Sequence, residues 1–505
     1  MAEHRDGTPG PLAGAGAALE PSGGALPAHR QDGLAAVLLE HPMPDDEGLL
    51  FTVDRRVTAG EAKRQARSTA AALAEAGLAP GQAVGVCLPN CPEAITTMVG
   101  IWLAGGVFVP LNPRGAAPER RHMLATTGAA ALIGPDGLER LDGERRYADD
   151  TAFILWTSGT TGPPKPIVHT HHAYAELIDR VLSSLRSEDR RRSGRPPTPN
   201  LIPTSLALNS GIYNSIFGLR AGAALVIMSA FDPLAFAELV RRFEIRSTVL
   251  PPAAMVSLTE AAEVSDLTPL RYVRSITAPL SPLQGRRFAE KFNVSVLNSY
   301  GQAEIGEVIG WTAADARQHP EKLGAAGRPH SGVDLKVVDE AGTTVPGGEV
   351  GRLLVRPRRM AAGYAGDGAL ADRLDDEGFL DTGDLARIDP EGFVWIEGRA
   401  GDLINRGGNK VFPEQVEEVL RLSPSVAEAA VIAVPDDRLG EVPVALVVGA
   451  GEGFDADELE RLCRRHLSPY KVPASFEPVS SLAYNEAGKL LRRELARRYL
   501  DGRRR

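Results

Sequence analysis

Four short, almost wholly apolar runs constrain this chain most: "AVGVCLP" (83–89), "GGVFVPLNP" (105–113), "AALIG" (130–134) and "AFILW" (152–156). Runs of that length without polar alternation have no face to offer water, so they read as strands covered on both sides. Helical stretches lie around them. Ahead of the first, "VTAGEAKRQARSTAAALAEAGL" carries helical spacing and a glycine stop at Gly77. Strands alternating with helices imply an α/β fold of wound, largely parallel sheets. At 505 residues the chain exceeds what one core serves, so two or more domains are expected.

The pattern changes near Arg399. Before it, "GFLDTGDLARIDPEGFVWIEG" reads as short strands joined by Asp-Pro and Glu-Gly turns. After it, "FPEQVEEVLRL" is a helix with Pro413 near its start and Val416, Val419 and Leu420 on one face; "VAEAAVIAVPD" and "EVPVALVVG" are strands. The expected division is a disordered, Gly/Ala/Pro-rich segment 1–33, a large domain 34–398, a linker 399–402 and a small α+β domain 403–505. "RSEDRRRSGRPPTP" (Arg186–Pro199) is a surface loop.

A net charge of −9 gives no general attraction to nucleic acid or an acidic membrane. No apolar run reaches the roughly 18 residues needed to span a bilayer. With no secretory leader pattern, Cys87, Cys91 and Cys463 are expected as reduced, buried thiols of a cytoplasmic protein.

"TSGTTGPPKP" (157–166) follows "AFILW" directly. Ser, Thr, Gly and Pro make surface turns, and the same residues with one lysine make a phosphate cradle. The stretch lacks the ending of a Walker loop, and no Gly-x-Gly-x-x-Gly follows a strand. Alone it decides nothing.

In company it does. "ILWTSGTTGPPKP" with "VHTH", then "WLAGGVFVPLNP", "TAPLSP", "NSYGQAE", "GEVGRLLV", "FLDTGDLARIDPEGFVWIEGR", "LINRGGNKVFPEQVEEVL" and "YKVPASFEPVSSLAYNEAGKLLRREL" resemble the motifs of the acyl-adenylate-forming superfamily over roughly residues 50 to 500. That group holds acyl-CoA synthetases, peptide-synthetase adenylation domains and firefly luciferases. The resemblance implies that a carboxylic acid and ATP form an acyl-AMP, which a thiol, coenzyme A above all, then takes over while the small domain turns. Thr157, Ser158, Thr160, Thr161 and Lys165 would hold the phosphates, with Gly159 and Gly162 admitting the backbone. Glu304 would bind Mg²⁺. Tyr300 would wall the adenine, with Ala278, Pro279 and Gly301 as further nucleotide contacts. Asp384 would accept from the ribose hydroxyls and Arg399 would brace them, although a turn cap fits "TGD" equally well. Lys489, taken as the start of a helix bearing Leu490, Leu491 and Leu495, would bind the carboxylate and α-phosphate.

The chain departs from the family in places. Pro166 stands where Gly is usual, Ala303 where Thr is common, and Gly401, followed by Asp402, where the pivot is usually Asp or Lys. Gly407 and Gly408 would leave room for a pantetheine arm, or simply make a left-handed turn. "LIPTSLALNSGIYNSIFG" lacks a common Phe-His pair; Asn209, Ser210 and Tyr213 there suit a polar, aryl acid or a plain helix start. Other acceptors stay open, namely a carrier protein or an amine, as does nitrite activation for diazotising an aryl amine in secondary metabolism, such as antibiotic biosynthesis. From another class, a non-catalytic nucleotide-binding protein stays open too.

Overall fold

The computed structural model describes residues 33–156, 165–185, 197–278, 280–365, 370–451, 453–485 and 489–503. The expected phosphate loop (Thr157, Ser158, Gly159, Thr160, Thr161 and Gly162), Pro279, Gly488, all of 1–33 but Gly33, and most of the Arg186–Pro199 loop lie outside them.

The first long helix, Ala59–Glu75, forms where its caps are written. The Thr58 hydroxyl accepts from the Glu61 N–H at 3.2 Å, and the Thr58 N–H donates to Glu61 Oε2 at 2.8 Å. Gly77 ends it at φ +77°. The apolar runs become the heart of a seven-stranded sheet. Thr151–Trp156, Val107–Pro110, Ala83–Val86 and Ala131–Gly134 lie side by side and parallel, flanked by the antiparallel strands Pro166–Thr170, Gly363–Tyr364 and Gly137–Arg140.

Two further sheets of the large domain follow the same rule. Gly48–Phe51, Leu225–Ile227 and Asn200–Ile202 run parallel, as do Ser247–Leu250, Tyr272–Ser275 and the first half of Ser295–Gln302. The sheet of Val333–Val338, Gly351–Pro357, Leu380–Ile388 and Val394–Arg399 does not. It is antiparallel throughout. Its last two strands are joined by the Asp389–Gly392 turn, too short for a parallel crossover.

After Arg399, a C-terminal domain has a five-stranded sheet in which the central Gly440–Gly449 pairs with the edge strand Val426–Asp436 and also with Ile404–Arg406 and Ser475–Pro478. Helices Pro413–Leu420 and Ala456–His466 cover one face, and Arg492–Arg503 covers the other. Val416, Val419 and Leu420 are buried as their spacing requires. Cys463 is buried; Cys87 and Cys91 are only half-buried, because each stands at an element's edge. No described helix is long and apolar enough to cross a membrane.

Ser295–Gln302 turns back on Gly306–Gly310, and the turn between them carries Ala303 and Glu304. Gly306 sits at φ +65°, and a Cβ there would lie 1.8 Å from Leu177 Cδ1. Gly306→Ala should therefore destabilise the protein by about 2–3 kcal/mol, combining the left-handed penalty with overpacking. Leu177→Ala should cost about 2–5 kcal/mol alone. In thermal unfolding, the double variant should be more stable than the two losses summed; simple additivity would mean that the clash is not what makes glycine necessary.

Candidate active site

Asp384 lies within the strand Leu380–Ile388, directly opposite Arg399, so it is not a turn cap. Its Oδ1 pairs with Arg399 Nε at 2.8 Å. Oδ2 accepts from Gln302 Nε2 at 2.9 Å and from the Tyr300 hydroxyl. Burial first, then the negative Asp384, holds the Tyr300 hydroxyl far above its ordinary range, so it stays protonated and donates.

Glu304 is 7% exposed. Its Oε1 accepts from Arg373 Nη1 at 2.8 Å and from the Tyr364 hydroxyl at 3.0 Å. Arg373 Nη2 reaches Gln302 Oε1 at 3.2 Å and the Asp381 carbonyl at 2.8 Å. Gln302 thus joins the two carboxylates: its amide nitrogen is on Asp384 and its amide oxygen on the guanidinium that holds Glu304. Lys165 Nζ lies 5.3 Å from the centre of the Tyr364 ring, on the same side of the network. Pro166 opens the adjoining strand, and its carbonyl accepts from the Ala365 N–H at 2.7 Å.

Lys489 arrives from the C-terminal domain. It does not start a helix. Leu490 pairs with Tyr484 in an antiparallel bridge and the Leu491 N–H donates to the Ala483 carbonyl at 2.9 Å, so 489–491 return antiparallel on 483–485 and the helix begins at Arg492. The helix-dipole argument therefore does not apply to it. Asn485 fixes this segment instead: its Oδ1 accepts from the Lys489 N–H at 2.9 Å, and its own N–H donates to the Lys489 carbonyl at 2.9 Å. Burial, then the positive Arg399, lowers the Lys489 amine below an ordinary lysine, while Asp384 and Glu304 oppose them. Lys489 thus lies within electrostatic reach of both Asp384 and Glu304.

The turn Ala400–Asp402 joins the domains. A Cβ on Gly401 would meet only Arg493 Nη2, at 3.5 Å, so no contact in this orientation demands glycine. Gly407 and Gly408, at φ +58° and +86°, make the hairpin turn between Ile404–Arg406 and Asn409–Val411. That turn alone accounts for both. Ala278 follows Thr277, itself at φ +74°, at the end of the strand Tyr272–Ser275, beside the strand of Tyr300 and Gly301.

Asn209 opens the helix Asn209–Arg220, and its Oδ1 is taken by the Tyr174 hydroxyl at 2.8 Å. Ser210 Oγ and the Tyr213 hydroxyl are buried with no hydrogen-bond partner among the described residues. Beyond Tyr213, Glu307 pairs with Arg274 and with His330 Nε2 at 3.1 Å. Sequence reasoning missed Gln302, Arg373, Tyr364 and this cluster. Gln302 was in view within "NSYGQAE"; the others carry no local signal.

Among the described residues no group of three or more His, Cys, Asp or Glu is arranged to hold a metal ion. Mg²⁺ does not need one, since it commonly takes one or two carboxylates and completes its shell with phosphates and water. Glu304, with both described contacts on one oxygen, fits that use.

The chain matches the AMP-binding enzyme family over residues 40–146 and 134–365, and the AMP-binding enzyme C-terminal domain over 415–489. It is 31% identical to a feruloyl-CoA synthase of Amycolatopsis sp over 472 residues, 88% of this chain and 94% of the relative. Among solved structures, ATP-bound MatB from Rhodopseudomonas palustris superposes with a TM-score of 0.83 at 25% identity, covering 93% of this chain and 99% of that one. The amide bond synthetase McbA from Marinactinospora thermotolerans gives 0.80 at 28% identity, covering 92% and 99%. The chain belongs to the AMP-binding enzyme family and is an AMP-forming ligase.

A lysine held below its usual 10.5 loses its proton earlier as pH rises. The charged form is the one that attracts a carboxylate or phosphate, so the kcat/KM for ATP should fall on an alkaline limb below that value. Bound phosphates favour the cation, so the limb in kcat should lie higher. Lys489→Arg should remove the limb from both; an unchanged profile would assign it to another group.

Proposed function

We propose that this AMP-binding enzyme condenses a small aryl or polar carboxylic acid with ATP to an acyl-AMP, and then passes the acyl group to the thiol of coenzyme A. The observation that carries the reading is the position of Lys489, which the C-terminal domain brings within electrostatic reach of Asp384 and Glu304. Among the described residues no carboxylate forms an ion pair with Lys489, and the carboxylate and α-phosphate of two anionic substrates would supply one.

In the first step an acid oxygen attacks the α-phosphorus, and the bond to pyrophosphate breaks in line. Lys489 holds the carboxylate against the α-phosphate. Asp384, with Arg399 and Gln302 fixing its two oxygens, accepts from the ribose hydroxyls, and Tyr300 walls the base. Lys165 offsets charge on the departing pyrophosphate, aided by the loop 157–162. Glu304, oriented by Arg373 and Tyr364, would hold Mg²⁺, which supplies further charge neutralisation at the phosphates. In the second step the thiolate attacks the acyl carbon and AMP leaves, once the domain 403–505 has turned on 399–402. The polar neighbours of Tyr213 support a polar acid.

A second acceptor has a specific observation in its favour. McbA, an amide bond synthetase, is slightly less similar in fold than MatB, with a TM-score of 0.80 against 0.83, but more similar in identity, at 28% against 25%. An amine would take the acyl group in the same geometry, and a carrier-protein thiol is the third acceptor to test.

The deciding experiment is pyrophosphate release with a panel of hydroxy- and amino-benzoic and cinnamic acids. Mass spectrometry of the products follows, with coenzyme A, amines or carrier protein supplied. Lys489→Ala should lower acid-dependent release by at least about a hundredfold while sparing thioester formation from synthetic acyl-AMP. Equal loss in both halves would remove Lys489 from the first step, and no release with any acid would overturn the reading.

A further inference from the structure

Arg492 opens the last helix three residues after Lys489, and its side chain is 12% exposed. One guanidinium there meets three carboxylates. Nη2 donates to Glu414 Oε1 at 2.9 Å and to Glu417 Oε2 at 3.2 Å. Nη1 pairs with Glu417 Oε1 and donates to the Val431 carbonyl at 3.2 Å. Nε faces Asp402 Oδ2 at 3.6 Å. Glu417 is fixed further, since its Oε1 accepts from the Val431 N–H at 2.7 Å.

These partners come from separate pieces of chain. Glu414 and Glu417 lie one turn apart on the helix Pro413–Leu420, the first of the C-terminal domain. Asp402 ends the interdomain turn, one residue past Gly401 and three past Arg399, which holds Asp384. The cluster also abuts the large domain: a Cβ on Gly398 would lie 2.9 Å from Glu414 Oε2.

Crowding carboxylates around one shielded cation is a poor stability device, because desolvation cancels much of the attraction. A forked guanidinium does fix orientation, since each nitrogen has its own direction. We propose that Arg492 is a positioning residue that clasps Asp402 to the C-terminal domain, so that turning is confined to Arg399–Gly401 and Lys489 lands at a set place before Asp384 and Glu304. Asp402 then travels with the domain it precedes and is not the swivel. Gly401, with no side-chain demand in this orientation, is the residue left to turn. The kinetic consequence, though not the clasp itself, rests on the adenylation reading above.

The test uses Asp402→Asn in the full chain. It removes one arm and leaves Arg492 on Glu414 and Glu417, so the domain keeps its main ion pairs. Without any substrate, limited trypsin cleavage after Arg399 should quicken by at least about fivefold, the mark of a looser turn. Acid-dependent pyrophosphate release should fall about tenfold while thioester formation from supplied acyl-AMP holds within about twofold. Asp402→Glu, which keeps the charge, should restore much of both. Unchanged cleavage, or equal losses in the two half-reactions, would overturn the clasp. If the wild-type enzyme activates no acid at all, the adenylation reading fails and cleavage alone still decides for or against the clasp.

Discussion

Two buried carboxylates, Asp384 and Glu304, have to find hydrogen-bond and cationic partners within one network, and the hairpin and strands around them supply those partners. A lone carboxylate out of water is costly unless its oxygens are met by donors or cations. Gln302 links the two, because its carboxamide donates to Asp384 and accepts at the far end from Arg373, which in turn donates to Glu304. No charged residue does both. The hairpin that carries Tyr300, Gln302 and Glu304 therefore has to be set accurately against the strand of Asp384, and Gly306 lets it lie on the Leu177 helix at the required distance.

Among its described residues, the C-terminal domain brings to this space one cation, Lys489, whose backbone is paired with that of a single asparagine, Asn485. The lysine's place on a separate domain is what the proposed turning requires, since a buried lysine could then leave with that domain. Its burial lowers the amine while Asp384 and Glu304 work the other way. The contest leaves a cation whose charge is stabilised chiefly when further negative groups enter.

The fold was legible in the sequence wherever one local rule sufficed. Uninterrupted apolar runs gave the parallel core of the seven-stranded sheet, and Thr58, Glu61 and Gly77 marked both ends of the first long helix. The antiparallel sheet was hidden, since its strands are short and their partners are set by turns. At the site, Asp384, Arg399, Tyr300 and Glu304 came from motif resemblance, and Lys165 and Lys489 with them. Arg373 and Tyr364 were not legible, because what matters about them is proximity across 60 or more residues to Glu304. The same holds for Arg492, an ordinary arginine in an arginine-rich tail until Asp402, Glu414 and Glu417 are seen around it. The helix assigned to Lys489 failed for a related reason: Leu490 and Leu491 have helical company in sequence but are paired to Tyr484 and Ala483 in space.

What lies behind Tyr213 bears on the choice of acid. Arg274, Glu307 and His330 form a buried, mutually satisfied group, where apolar side chains of similar volume would be at least as stable. The Tyr213 hydroxyl faces that field without a hydrogen-bond partner among the described residues, and burial, then Glu307, pushes its ionisation far up. An unmade hydrogen bond in such a place costs about 1–3 kcal/mol. Retaining it is reasonable where a ligand completes it, and a hydroxyl or amino substituent on the acid is of the right chemistry. Sites of this kind discriminate strongly against analogues that lack the polar group, since rejection then leaves a buried donor empty, whereas apolar pockets gain only about 1–3 kcal/mol per methylene. If the proposed acid does reach Tyr213, its selectivity would rest more on that one hydrogen bond than on the size of the space around it.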